Sequence, residues 1–567
     1  MKLKNILYGL SAVAVVSLTS CDDFLDKIPD TRVELEKTEQ LSMLLVTSYP
    51  SANYALTCEL SSDNYEDNNS PDENGTRYNL TPYDKGDDEI FAWEDVKSAT
   101  GTDSPSFVWE YYYLAIAGAN AVLDKLPELE AQGEELAGYE QLPAIKAEAL
   151  LIRAYCHFTL ANIFCEAYRG PEMSQTILGI PYIMEPETTV KPHYDRGTLA
   201  DVYDKIEADL TEALPLVNNG LYEVPKYHFN VAAANAFAAR FYLFKRDYKK
   251  ALTYANAAFG GEGVDVSQYM SDIWQNLGNF YYISDFGLYY NNIDKPRNLM
   301  LFPTYSTFWR RNIGYRYAVT RDAKRATLQG PGPTWEGYRY RASNGTGEVF
   351  SMNPCFNGAC GVNGKSEYGT YFAGSCNEQF EYTDKVAGIG YTHMTRAEFT
   401  GEETLLTRAE AKLFLGDKPG AIADLAVWEK AHRVTRDGDY YIDLTEQSIR
   451  AFYADKDPGY GIVKPIHIDE VYPCEYSVSD DIEPILQCIQ HFRRIETIHT
   501  GMRFFDIKRY GLEFSRKIGA DRVETLTMLD PRKAIQIPTE VIAAGLEPNK
   551  RINQEVANAI EKFEIAK

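Results

Sequence analysis

The chain has 567 residues, enough for one large core or several smaller ones, with a net charge of −25 and a pI near 4.9. That balance argues against nucleic acid as a partner and disfavours docking on anionic lipid headgroups, because both need a basic surface. Forty-one tyrosines are the compositional oddity. Tyr joins a flat apolar ring to a polar handle at little cost in side-chain entropy, which suits recognition, although the same count would follow if Tyr simply covered half-buried faces.

The N-terminus comes first. Lys2 and Lys4 precede an apolar stretch at 6–18, which is long enough for a signal-peptide core and short of the ~20 residues that span a bilayer. Leu18-Thr19-Ser20-Cys21 then resembles the bacterial lipobox, in which the cysteine takes lipid and becomes the new N-terminus. A signal peptide at 1–20, a lipid on Cys21 and a soluble body beyond it are the expectation, since stable anchoring needs more than one acyl chain and such lipoproteins carry three. The alternative is an ordinary cleaved signal with a cysteine nearby.

Helical spacing begins at WEYYYLAIAGANAVLDKL (109–126) and continues in the Ala-rich AIKAEALLIRAYCHFTLANIF (144–164). After the extended GIPYIM (179–184), helix resumes at 198–217, with Thr198 as N-cap and Pro215 near its end. In AAANAFAARFYLFKRDYKKALTYANAAF (232–259), two short helices meet at a polar turn, and alanines recur where closely packed helices need them. LLTRAEAKLFLGDKPGAIADLAVW (405–428) repeats the pattern with Gly416-Asp417 at the turn. These units resemble tetratricopeptide pairs. The helices at 144–164 and 198–217 form another pair, and 109–126 contributes half of one.

Between 261 and 400 the helical period fades and Gly, Asn, Pro and aromatics dominate, as in GPGPTWEGYRYRASNGTG (330–347). So long a region without periodicity is functional or disordered, and its aromatic content favours an ordered loop lobe on the helical frame. Chemical motifs are sparse. ACGVNGKS (359–366) misses a Walker A loop because Ala359 replaces the first glycine and no apolar strand leads into it. The eight histidines form no HExxH, and no GxSxG occurs. Carboxylates abound, but no spacing singles out a hydrolytic pair. The expectation is binding without catalysis, metal or cofactor.

Besides Cys21, cysteines stand at 58, 156, 165, 355, 360, 376, 474 and 488, an even number that permits disulfides in an exported chain. Cys156 and Cys165 fall on opposite faces of one helix and cannot pair with each other. The segment holding Cys355, Cys360 and Cys376 is the best place for a bridge, and it lacks the CxxC and histidine of a zinc site.

Six segments in order resemble the SusD/RagB family of nutrient-binding lipoproteins: CDDFLDKIP after the lipobox, WEYYYLAIAGANAVLD, AEALLIRAYCHFTLANIF with GIPY, TRAEAKLFLGD, GMRFFDIKRYG (501–511) and IQIPTEVIAAGLEPN (535–549). One departure is His491-Phe492-Arg493-Arg494-Ile495, where the family usually shows Glu-Arg-x-x-Glu-Leu. The resemblance implies a mainly α fold in which four tetratricopeptide-like helix pairs support a loop-rich ligand lobe with short strands. It divides the chain into a signal peptide (1–20), an N-terminal helical part (21–260), the lobe (261–400) and a C-terminal part (401–567).

It also implies surface display on the outer membrane of a Gram-negative bacterium, where the protein delivers an oligosaccharide to a SusC-like TonB-dependent transporter. The alternatives are a peptide-binding lid of the same kind of transporter and a lipid-anchored glycoside hydrolase; a pure protein scaffold is a third.

For the ligand site, the expectation is exposed aromatic rings flanked by hydrogen-bonding groups. Trp93 matches a stretch that carries an aromatic platform in the starch-binding branch. Tyr315 and Trp335 come from the lobe, and Asp63, Arg310 and Arg311 supply polar contacts. The competing reading buries both tryptophans beneath loops. Arg503, Asp506 and Arg509 read as structural, with Arg503 and Asp506 spaced to pair on one helix.

Overall fold

The computed structural model describes residues 35–71, 75, 77–98, 101–187, 193–276, 283–328, 330–335, 355–359, 369–373, 375–432, 442–454 and 459–551. Cys21 and its leader, most of 336–368 and the 359–366 stretch beyond Ala359 lie outside these residues.

A helical frame dominates. It opens with α1 (Thr38–Thr47), α2 (Ala55–Ser61), α3 (Lys85–Phe91) and α4 (Pro105–Glu130). Next comes α5 (Leu142–Phe164), which is buried on nearly every side, as its Ala-rich and mostly apolar sequence requires of a central helix. It packs against α4 and against α6 (Leu199–Ala213). Thr198 caps α6 by accepting from the Asp201 N–H at 3.1 Å, and Pro215 falls in the 3₁₀ turn that follows.

The pair α7 (Val231–Phe244) and α8 (Tyr248–Ala258) folds back over the turn Lys245-Arg246-Asp247. Arg246 adopts a left-handed φ of 53° there, and its guanidinium donates to the carbonyls of Ile468, Tyr472 and Tyr476 and to Asp469. The pair α9 (Gly401–Phe414) and α10 (Lys418–His432) turns at Gly416, φ 86°. So short a turn makes neighbouring helices antiparallel. The frame is completed by α11 (Glu446–Tyr453), α12 (Glu483–Glu496), which packs on α9 and α11, and α13 (Met502–Arg509).

The lobe carries more strand than its composition implied. β1 (Asn298–Tyr305), β2 (Gln379–Asp384) and β3 (Ile389–Thr400) form an antiparallel sheet in the order β1-β3-β2. β3 runs directly into α9, whose N-cap is its last residue, Thr400, so sheet and frame are rigidly joined.

Buried ion pairs stitch distant segments together. Asp63 receives both arms of Arg503 at 2.7 and 2.8 Å, and Arg494 and Lys464 stand at 3.5 Å. Asp506 therefore does not pair with Arg503, as the spacing allowed; it takes Arg493 at 3.0 Å and Arg509 at 3.0 Å. Arg240 and Arg396 converge on Glu398, and Arg153 on Asp209. The structural reading of Arg503, Asp506 and Arg509 fits their burial.

Cys376 is a buried free thiol, as are Cys58, Cys156, Cys165 and Cys488, while Cys474 is exposed and free; the bridge expected near Cys376 is not formed by that residue. Among the described residues, no helix is long and apolar enough to cross a membrane.

Candidate functional site

An accessible aromatic cluster with charged partners forms where the entry to α3 meets the loop after β1. Asp84 caps α3 by accepting from the Gly86 N–H at 2.8 Å, which fixes Tyr83 just outside the helix with 37% of its surface exposed. The four-residue helix Phe308–Arg311 supplies two arginines, and Gly314, at φ 78°, turns the chain so that Tyr315 reaches Tyr83. The two rings meet edge to face, 5.1 Å apart at 80°.

The arginines divide the work. Arg311 is buried: it donates to Asp87 at 3.0 Å and to the Thr102 carbonyl at 3.2 Å, and its guanidinium lies 4.5 Å from the Tyr83 ring centre. Burial pushes the Asp87 carboxyl up to about 6, although Arg311 pulls the other way. Arg310 is the solvent-side partner. Its side chain is 43% exposed and clamps Glu378 with both Nε and Nη2. Two tyrosine rings beside an Arg–Glu pair can meet the C–H face of a sugar and hydrogen-bond the hydroxyls on its edge.

Three of the six residues singled out in the sequence, Tyr315, Arg310 and Arg311, therefore stand together. The other three do not join them. Trp93 is 5% exposed with its Nε1 donating to the Ser61 carbonyl at 3.0 Å, and Arg516 lies over its ring at 4.0 Å. Trp335 is also 5% exposed; its Nε1 donates to the Gly330 carbonyl at 2.8 Å and its ring packs on His491 and Phe492. A Cβ at Gly332 would stand 2.1 Å from that indole, so the glycine itself makes room for it. Both indoles are core pieces with satisfied N–H groups and no open face. Asp63 is fully engaged by its three cations, which hold its carboxyl well below the usual range against the effect of burial. Tyr83 and Glu378 were missed, because nothing in their local sequence marks them.

A second cluster has the composition of a metal site: Glu402, His432 and Glu496, all buried. Arg297 already occupies its centre of charge, donating to Glu402 at 2.8 Å and reaching Glu496 at 3.4 Å, and His432 Nε2 lies 3.0 Å from Glu496. Burial opposes a charged His432, but the two carboxylates outweigh it and raise its pKa. Arg297 and His432 already partner the two carboxylates, so the cluster is built as an ion-pair knot.

Residues 23–243 match the SusD-like family model described as "Starch-binding associating with outer membrane". No curated protein matches the chain. Among solved structures, the chain resembles a SusD superfamily protein from Bacteroides thetaiotaomicron VPI-5482 at 17% identity and a TM-score of 0.56, covering 91% of this chain and 100% of that one. A SusD superfamily protein from Bacteroides fragilis gives 16%, 0.54, 92% and 99%. A laminarin-binding SusD-like protein gives 15%, 0.51, 91% and 100%. At these identities the likeness establishes the fold.

Proposed function

We propose, from the premise that the chain belongs to the SusD-like family, that it is a cell-surface lipoprotein that captures oligosaccharides without cutting them and passes them to a SusC-like TonB-dependent transporter. The observation that carries the binding half is the Tyr83–Tyr315 pair beside Arg310 and Glu378. The family description, starch binding at the outer membrane, and a neighbour that binds laminarin support a glycan as the ligand. The delivery half and the lipid on Cys21 rest on the sequence resemblance.

The protein lacking its first 21 residues is titrated with starch- and laminarin-derived oligosaccharides. Tyr315→Ala is expected to weaken binding by ~1–3 kcal/mol, in the range of a truncated binding anchor, while Arg310→Ala weakens it less. Unchanged affinity in Tyr83→Ala, Tyr315→Ala and Arg310→Ala alike refutes the site. Product analysis after a day with the same sugars tests the absence of catalysis, and any sustained turnover overturns it. In cells, Cys21→Ala should release the protein from the outer membrane, and retention after a salt wash would overturn the anchor. Co-purification of a TonB-dependent barrel with the anchored protein tests delivery.

A further inference from the structure

A groove of about 930 Å³ lies between α1, residues 221–228 and one face of the sheet. It is at the upper end of the ~300–1,000 Å³ typical of small-molecule clefts. Strand register builds its floor. Tyr305 stands opposite His393, and Glu381 opposite Tyr391, so all four share the face that lines the groove. The Tyr305 and Tyr391 rings meet edge to face at 4.9 Å. The facing wall is fixed from beneath: buried Glu148 accepts from Tyr49 Oη at 2.6 Å and from His228 Nδ1 at 2.7 Å, and Tyr222 stacks on His228 at 4.3 Å.

Charge narrows the occupant. The lining carries Glu39, Glu223 and Glu381 besides Glu148, and neither lysine nor arginine. An anionic ligand is thereby disfavoured. The floor is the face of the sheet and not its edge, so strand addition, a common way to hold a peptide, has no backbone to use there. Tyrosine rings with carboxylates between them suit a chain of uncharged sugars, whose C–H faces meet rings and whose hydroxyls donate to carboxylates. We infer that this groove is a second binding site, separate from the Tyr83–Tyr315 cluster, for a segment of neutral oligosaccharide.

Calorimetric titration of the protein lacking its first 21 residues tests this with laminarihexaose, maltohexaose, cellohexaose and xylohexaose, and with hexagalacturonate as the anionic control. At least one neutral hexamer should bind with a component that Tyr305→Ala/Tyr391→Ala removes and Tyr83→Ala/Tyr315→Ala leaves intact. Glu381→Ala, at an exposed position, should weaken the same component at least threefold without moving the melting temperature, which guards against a double variant that fails to fold. The inference is overturned if no neutral hexamer shows a component sensitive to Glu381→Ala. It is equally overturned if hexagalacturonate competes for the groove. Loss of the Tyr83-sensitive component alone would refute the first site and leave this one standing.

Discussion

His157 shows what a single buried residue can impose. Its Nδ1–H donates to the Arg153 carbonyl at 2.8 Å, its Nε2 accepts from the Ile183 N–H at 3.1 Å, and its ring stacks on Tyr182. The neutral tautomer is thus fully satisfied, and burial depresses its pKa from 6.5 to about 3. The unfolded chain takes up this proton near pH 6.5 and the folded one does not, so the stabilisation is complete above 6.5 and is lost as pH falls toward 3. Glu59 works in the opposite direction, since burial raises it from 4.5 to about 7 and costs stability as pH rises through that range.

The contribution of His157 is isolated by difference. Between pH 6 and 4.5, the unfolding free energy of the native protein should fall more steeply than that of His157→Phe, by ~1.4 kcal/mol per pH unit. Parallel slopes would refute the assignment. The two tryptophans are tested at the same scale. Trp93→Ala and Trp335→Ala should each cost ~3–5 kcal/mol of stability, as for a large side chain removed from a packed core. A near-native melting temperature with lost glycan binding would instead restore them as a platform.

At the scale of the element, the turns carry information that the helices do not. Gly416 ends α9 at φ 86° with open space where a Cβ would go, so nothing but backbone strain opposes a side chain there. Gly416→Ala should therefore cost ~1–2 kcal/mol, measured by denaturant unfolding, and an unchanged midpoint would contradict the left-handed turn. This is also where the sequence was most legible. Alanine spacing and the polar turn at 245–247 located α7 and α8 to within a residue or two, and Thr198 was recognisable as a cap.

The β2–β3 hairpin was not legible, because β2 is exposed along almost its whole length and so presents no alternating buried face. Nor could local sequence tell that Trp93 and Trp335 point inward. A lone tryptophan in a connecting segment reads the same whether it crowns a loop or plugs the core beneath it. Tyr315, Arg310 and Arg311 were recoverable because they are close in sequence, whereas their partners Tyr83 and Glu378 come from distant segments.

At the scale of the whole molecule, ion pairs between remote segments specify how the parts fit. Asp63 lies in the short segment after α2, while Arg494 and Arg503 come from α12 and α13. Asp63→Asn keeps the shape but strands two buried guanidiniums and Lys464, and should cost ~3–5 kcal/mol, the usual penalty for breaking a buried pair from one side. A loss below 1 kcal/mol would show that water reaches the pair.

That Asp63 waits for Arg503 also sets a timetable. During synthesis, the N-terminal helices emerge long before the segment that neutralises Asp63, and Ile535 and Asn549 tie down the end of α5 later still, through the carbonyls of Ile163 and Phe164. A ribosome-bound chain lacking these residues leaves Asp63 and the last carbonyls of α5 without these partners, so the native set of contacts is complete only when nearly all of the polypeptide has been made.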